Sequence, residues 1–240
     1  MAVGAVLVHG FTGTPYELHP LTAALRGAGI QVDTPLLPGH GTSPADLAQT
    51  RWTEWRDTVE HALDAMAART GRVVVIGQSL GGLLALELAT RRHDAALAGV
   101  ASLAAPLWFE GITHTAVRAT RLGGPLAWLR TVPKLGGSDV RDRGAKRGNA
   151  SYRAVPVAAL RELVAVQAAL VPVLPRVTCP VLVMHARHDH TAPVASAAHI
   201  AAATRAERLR ILLHSFHLIA MDVEREIVAT EALAFLARRG

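Results

Sequence analysis

The sequence predicts an α/β domain with a mostly parallel sheet of about six strands flanked by helices. The first observation is a series of short apolar runs, several of them apolar at successive positions, which is typical of strands buried on both faces. The second is that segments with a helical period separate these runs, and such alternation favours parallel strands joined by right-handed crossovers. The predicted strands are Val3–Val8, Ile30–Thr34, Arg72–Ile76, Leu97–Leu103, Val181–His185 and Leu209–Leu213.

Start and stop signals place the predicted helices. The first follows Thr14, with a capping box to Glu17 and Pro15 at the first helical position, and ends near Gly27 or Gly29. The last begins behind Asp222, with acidic residues in its first turn. The other predicted helices span residues 51–70, 80–92 and 193–203.

One segment does not follow this alternation. Pro106–Pro175 has no convincing strand, is rich in arginine and glycine, and contains two weak helical patterns. We therefore predict a core formed by residues 1–105 and 176–240, with residues 106–175 as a lid or cap insertion.

The composition fits one globular domain, because half of the 240 residues are apolar. The net charge is +6, but arginines are spread widely and aromatic residues are few, so we expect a solvated basic surface and no nucleic-acid partner. The single cysteine, Cys179, allows no intramolecular disulfide. No signal peptide is recognisable, and charged residues and prolines interrupt the apolar segment Val155–Leu174. We expect a cytoplasmic monomer or homodimer with no integral membrane segment.

The strongest chemical signal is a serine between a strand and a helix. Residues 73–82 read Val-Val-Val-Ile-Gly-Gln-Ser-Leu-Gly-Gly, in which an apolar strand leads into G-x-S-x-G and then into a helical pattern. Such a serine lies on a tight turn with its hydroxyl above the sheet. Gly77 and Gly81 are needed because a Cβ at either position would collide with the neighbouring strand and helix. We predict that Ser79 is a nucleophile.

A serine hydroxyl needs a base to remove its proton, and that base must come from a loop at the same edge of the sheet. The last predicted strand is followed by His214 and His217. His217 lies farther into the loop, where an imidazole can reach Ser79, so we favour it over His214.

The acid that orients the histidine should follow the preceding strand. Asp189 has this position and would hold His217 in the required tautomer. Asp222 is the competitor by proximity in sequence, but it fits better as the N-cap of the last helix. The order Ser79, Asp189, His217 is that of the triad on the α/β-hydrolase fold.

Two backbone N–H groups should stabilise the negative charge that develops on the substrate. We assign them to Leu80, after the nucleophile, and to Phe11, in the Gly-rich turn after the first strand. His185, His188 and His190 alternate along an extended segment and would point to opposite sides, which argues against a metal site. We expect neither a metal nor a cofactor.

Together these motifs resemble bacterial carboxylesterases and monoacylglycerol lipases of the α/β-hydrolase superfamily, over nearly the whole chain except Pro106–Arg153. The matching segments are His9–Gly13, Pro38–Gly41, Gly77–Gly82, Ala186–Asp189 and Ser215–His217. The resemblance implies an α/β-hydrolase fold with a small lid over an acyl pocket. It also implies a serine esterase that cleaves small-molecule carboxylic esters through an acyl-enzyme.

Two positions depart from the family pattern. Gln78 precedes the serine where the family has an apolar residue or histidine, and Phe216 precedes the catalytic histidine where the family has glycine. We assign Gln78, Phe216 and, in the lid, Trp108 to substrate binding, and we expect short to medium acyl chains. The alternatives are a thioesterase or acyltransferase in a biosynthetic pathway, and a non-catalytic protein on the same fold.

Overall fold

The computed structural model describes residues 3–110, 130–134 and 137–240. Its strands are β1 Val3–Val8, β2 Val32–Asp33, β3 Arg72–Gln78, β4 Leu97–Leu103, β5 Thr131–Pro133, β6 Ala154–Pro156, β7 Val181–Ala186 and β8 Arg208–Leu212. Six of them form one parallel sheet in the order β2-β1-β3-β4-β7-β8. The predicted fold class is therefore confirmed.

Helices cover both faces of this sheet. The helices in the described residues are α1 His19–Gly27, α2 Pro44–Leu47, α3 Trp52–Thr70, α4 Leu80–Ala89, α5 Arg143–Gly148, α6 Val157–Leu170, α7 Val194–Thr204 and α8 Arg225–Ala237, with 3-10 helices at Pro15–Leu18 and Val171–Arg176. The capping box predicted at Thr14 does not form, because the Glu17 carboxylate accepts a hydrogen bond from the Gly10 N–H instead.

The hydrophobic core lies in two layers, one on each face of the sheet. On one face Trp55 of α3, Leu84 of α4 and Ile200 of α7 are fully buried. On the other face Leu25 of α1 and Phe235 of α8 are fully buried. Strands β1, β4 and β7 are buried along their whole length, which is why their sequences are apolar at successive positions.

The predicted insertion divides into two parts. Its first part contains β5 and β6, a short antiparallel pair, so the prediction that residues 106–175 hold no strand is wrong. Three-residue strands are too short to leave an alternating pattern in the sequence. Residues 111–129 of this region lie outside the described residues. The second part is α6, which packs against α3 and α4 and belongs to the core layer, not to a separate lid.

Within the described ranges, one helical stretch, Val157–Arg176, has the length and apolar composition of a membrane span. Its side chains argue for a different role, because Leu163, Val166, Leu170 and Leu174 are buried in the core layer beside α4. We therefore interpret it as a core helix.

Candidate active site

Ser79 lies on the sharp turn between β3 and α4. Its φ of 55° is in the left-handed region, which is unfavourable for a non-glycine residue and is fixed here by close packing. The Ser79 N–H donates to the carbonyl of Leu103 on the neighbouring strand at 2.8 Å. A Cβ at Gly81 would overlap the Val8 carbonyl of β1, and a Cβ at Gly77 would overlap the Gly81 carbonyl. The two glycines are therefore required for α4 to approach the sheet this closely.

Ser79, His217 and Asp189 form one hydrogen-bonded chain. His217 Nε2 lies 2.8 Å from Ser79 Oγ, and His217 Nδ1 lies 2.8 Å from Asp189 Oδ2. A neutral imidazole that donates from Nδ1 to the carboxylate leaves Nε2 free to accept the serine proton. The structure thus brings together the three residues that the sequence predicts. His214 is exposed, and its carbonyl accepts a hydrogen bond from Arg141.

The Asp189 carboxylate is held by several donors. Oδ1 accepts the N–H groups of Thr191 at 2.8 Å and Ala192 at 2.7 Å, while Oδ2 faces His217 and, at 3.2 Å, His185. Burial alone would raise the pKa of Asp189, but the charges and hydrogen bonds of the two histidines hold it well below its usual range. The carboxylate therefore stays ionised at neutral pH.

The surroundings of His217 favour its protonated form. Burial opposes the charged imidazolium, but Asp189, followed by the more distant carboxylates of Asp139 and Glu17, raises the pKa of His217 above its usual value. Because only the neutral imidazole can accept the Ser79 proton, the histidine acts as a base above this raised pKa.

The turn after β1 lies against the serine. A Cβ at Gly10 would lie 3.3 Å from Ser79 Cβ, so the turn and the nucleophile are in contact. Leu80 is the first residue of α4, and the N–H groups of a first helical turn have no intrahelical acceptor. The Leu80 N–H and the Phe11 N–H in the turn are therefore the two donors available to an oxyanion. The turn is tight, with Thr12 at a φ of 63°.

A buried carboxylate and a half-buried amine support this turn. Glu17 is 3 % exposed, and its Oε2 accepts the Gly10 N–H at 2.9 Å. Burial raises the pKa of Glu17, although the Gly10 hydrogen bond and the charge of Lys134 oppose the rise. Lys134 Nζ lies 2.8 Å from Ser151 Oγ and 3.3 Å from Thr12 Oγ1, and burial lowers its pKa. The sequence indicated neither role, because Lys134 reaches Thr12 only when residues 130–134 pack on the turn.

Gln78 faces the loop that carries His217. Its side chain is fully buried, its Nε2 donates to the His217 carbonyl at 3.0 Å, and its Oε1 accepts the Ala220 N–H at 3.3 Å. The prediction that Gln78 binds substrate is therefore replaced by a positioning role. The sequence contained a signal for these contacts, because Gln78 stands where the family has an apolar residue or histidine. A buried amide at such a position needs hydrogen-bond partners.

Asp222 joins the same loop to the insertion. Its fully buried carboxylate accepts the N–H groups of Phe216 at 2.7 Å, Asp142 at 2.9 Å and Arg141 at 3.0 Å, in addition to that of Val223. The prediction that Asp222 is the N-cap of the last helix is wrong, since Glu224 holds that position. Asp222 does not take the place of Asp189 beside His217.

Asp139 makes a second connection between the insertion and the catalytic loops. Its carboxylate lies 2.9 Å from His190 Nδ1 and accepts the His190 N–H at 3.0 Å, while its carbonyl accepts the Leu218 N–H at 3.1 Å. Residues 138–142 are thus bound between the loop with Asp189 and the loop with His217.

The two predicted substrate-binding aromatics are half-buried. Trp108 donates from Nε1 to Glu110 at 3.2 Å and packs edge-on against His199 of α7. Phe216 packs edge-on against His190 with ring centroids 4.6 Å apart. Their contact with a substrate stays a prediction.

Within the described part of the chain, no cluster of three or more His, Cys, Asp or Glu side chains could hold a metal ion. His40 contacts the backbone, with Nδ1 3.0 Å from the Pro38 carbonyl, and burial lowers its pKa to about 4.

Comparison with known proteins identifies the family of this chain. A family model described as the alpha/beta hydrolase family matches residues 5–230. The chain belongs to this family. It is 32% identical to a thermostable monoacylglycerol lipase of a Bacillus species, over 98% of this chain and 91% of that protein. It is 25% identical to a carboxylesterase of Bacillus subtilis, over 97% of this chain and 92% of that protein.

A solved structure from work on LipS and LipT, two metagenome-derived lipolytic enzymes, superposes with a TM-score of 0.89 at 29% identity. The match covers 98% of this chain and 94% of that one. The chain is therefore an ester hydrolase of the lipase and esterase type.

Proposed function

We propose that this hydrolase cleaves carboxylic esters through a covalent acyl-enzyme on Ser79, with His217 as general base and acid and Asp189 as the acid that orients it. The observation that carries the proposal is the continuous hydrogen-bonded chain, with 2.8 Å at each of its two contacts. Such a chain activates a hydroxyl that is otherwise a weak nucleophile.

In the first half of the reaction, Ser79 Oγ attacks the ester carbonyl carbon while its proton moves to His217 Nε2. The N–H groups of Phe11 and Leu80 stabilise the negative carbonyl oxygen of the tetrahedral intermediate. The intermediate collapses, the bond to the alcohol oxygen breaks, and His217 returns the proton to the leaving alcohol.

In the second half, water replaces the alcohol. His217 takes a proton from the water as the oxygen attacks the acyl carbon, and it then protonates Ser79 Oγ as the carboxylic acid leaves. The ionised Asp189 stabilises the imidazolium in both halves and keeps Nδ1 protonated between them.

Labelling with a fluorophosphonate probe tests the nucleophile. Ser79→Ala should abolish labelling and lower turnover by several orders of magnitude while the protein stays folded. Ser43→Ala, at a half-buried serine that caps α2, is the matched control and should label like the wild type. Undiminished labelling of Ser79→Ala would overturn the proposal.

For the substrate, we infer esters with short to medium acyl chains, monoacylglycerols included. The inference is supported by the names of the relatives and by the bulk of Phe216 next to His217. Each buried methylene should add about 0.8 kcal/mol, or about fourfold in kcat/KM, until the pocket is full. A series of p-nitrophenyl esters from acetate to palmitate should therefore pass through a maximum before palmitate. A flat profile, or a maximum at palmitate, would contradict it.

Acyl-thioesters measured beside this series separate an esterase from a thioesterase, because the triad chemistry is common to both. The cytoplasmic location and the monomeric or homodimeric state stay predictions.

A further inference from the structure

A second histidine contacts the proposed triad acid. His185 is the fifth residue of β7, is 1 % exposed, and points its Nε2 at Asp189 Oδ2, 3.2 Å away. This is the same carboxylate oxygen that accepts the His217 Nδ1–H. The three-residue mechanism of the previous section makes no use of His185.

The surroundings of His185 determine which nitrogen carries its proton. Nε2 faces two acceptors, Asp189 Oδ2 and, at 3.1 Å, the Ala192 carbonyl. Nδ1 is buried and has no hydrogen-bond partner among the described residues. Two facing oxygens require a donor between them, so the proton is on Nε2 and His185 acts as a buried N–H donor.

We propose that His185 is a positioning residue, which shares Asp189 Oδ2 with His217 and thereby limits how strongly the carboxylate stabilises the His217 imidazolium. The proposal rests on the proposed function, since it assigns a partner to the acid of that triad. Thr191 and Ala192 still hold Oδ1 when His185 is removed, so Asp189 stays in place and only the balance between its two histidine donors changes.

The sign of the effect follows from the groups around His217. Asp189 contacts it from the loop after β7, while Asp139 of the insertion and Glu17 of the 3-10 helix Pro15–Leu18 act on it through their charges. His185 acts on it only through the shared Asp189 Oδ2. Without the His185 donor, the Asp189 charge is concentrated on the hydrogen bond to His217. The imidazolium is then stabilised, and His217 keeps its proton to higher pH.

The experiment compares His185→Leu, His185→Gln and the wild type in kcat/KM from pH 5.5 to 9 and in the pH dependence of fluorophosphonate labelling. At low pH, kcat/KM falls because His217 becomes protonated, and in His185→Leu this acid limb of the pH profile should move to higher pH. The ratio of kcat/KM at pH 6 to that at pH 8 should then fall about threefold. Glutamine places an N–H donor near the position of Nε2, so His185→Gln should restore the wild-type profile. His188→Leu, at an exposed histidine in the same loop, is the matched control and should not move the limb.

An unshifted acid limb in a folded His185→Leu variant, or an equal shift in His185→Gln, would overturn the proposal. Thermal unfolding of each variant shows whether it is folded, and if His185→Leu does not fold, His185→Asn, whose shorter amide does not reach Oδ2, takes its place. These outcomes are separable from failure of the proposed function. If the proposed function is wrong, the wild type itself will lack labelling at Ser79.

Discussion

The two halves of the active site are built by different means. The half that holds Ser79 is positioned by backbone packing, with glycines at the points where α4, β1 and β3 approach each other. The half that holds His217 and Asp189 is positioned by buried and half-buried polar side chains. Gln78, Asp139 and Asp222 bind the two loops to β3 and to residues 138–142.

The difference teaches how each half is encoded in the chain. Steric packing at a turn needs small residues at fixed positions close in sequence, and it leaves a motif. A polar network joins donors and acceptors that lie far apart in sequence, such as Gln78 and His217, and it therefore leaves no local sequence motif. Substitutions at the glycines of the first half should accordingly act through folding. Substitutions in the polar network of the second half should act through catalysis, through the stability of the loops, or through both.

The largest expected effect is on catalysis in the second half. Asp189→Asn removes the charge that stabilises the His217 imidazolium and favours the wrong tautomer, so kcat should fall by about 10³- to 10⁴-fold. Since Asp189 is what raises the pKa of His217, the acid limb of the remaining activity should move to lower pH.

Steady-state kinetics from pH 5 to 9 measure both quantities. Asp46→Asn, at an exposed carboxylate in α2, is the control and should keep wild-type kinetics. A drop of less than tenfold, or an acid limb that moves to higher pH, would contradict the assignment of Asp189.

The first half should fail by unfolding. In Gly81→Ala the new Cβ overlaps the Val8 carbonyl, and because its nearest neighbours are backbone atoms of Val8 and His9, no side chain can rotate away. We expect a loss of about 3 kcal/mol or more in the free energy of unfolding. The measurement is urea unfolding followed by circular dichroism.

Gly27→Ala at the end of α1 is the matched control, because a Cβ there meets nothing within 4 Å. It should be neutral or should stabilise the protein by up to about 1 kcal/mol. Similar stability for the two variants would show that packing at Gly81 does not fix the turn.

The same division explains how much the sequence could predict. Strands β1 and β4 have the predicted bounds, and Ser79 follows from a local motif. The described part of the insertion was harder to predict from sequence. Its strands β5 and β6 are short, and α6 joins the core only through tertiary contacts. Glu17 and Asp222 looked like helix-capping residues, and only the folded chain brings the N–H groups of Gly10 and Arg141 to their carboxylates.

A smaller effect is expected where the insertion joins the His217 loop. Asp222→Asn replaces one acceptor oxygen by an amide NH₂ that faces backbone N–H groups, which should cost about 2–3 kcal/mol of unfolding free energy. Urea unfolding measures the loss. Asp57→Asn removes an exposed ion pair with Arg56 and should change stability by less than about 1 kcal/mol. Equal losses would mean that the Asp222 network does not hold the insertion.

The smallest effect tests the link between the two halves. Gln78→Met keeps the size of the side chain but removes its hydrogen bonds to the backbone of His217 and Ala220. The His217 carbonyl still accepts the Ile219 N–H at 2.9 Å, so Ala220 alone is left with an unpaired N–H. Stability should fall by about 1–2 kcal/mol, and kcat should fall about tenfold with little change in KM, because the loop around the base is less well held.

Gln167→Met is the matched control for this last prediction. Gln167 is also buried, and its Nε2 donates to the Pro106 carbonyl at 2.7 Å without contact to either catalytic loop. The two variants should lose similar stability, but only Gln78→Met should lower kcat. If both lower kcat equally, the loss reflects general destabilisation, and Gln78 does not position the His217 loop. If neither does, His217 is held well enough by Asp189 and the insertion, and the two halves of the site are independent.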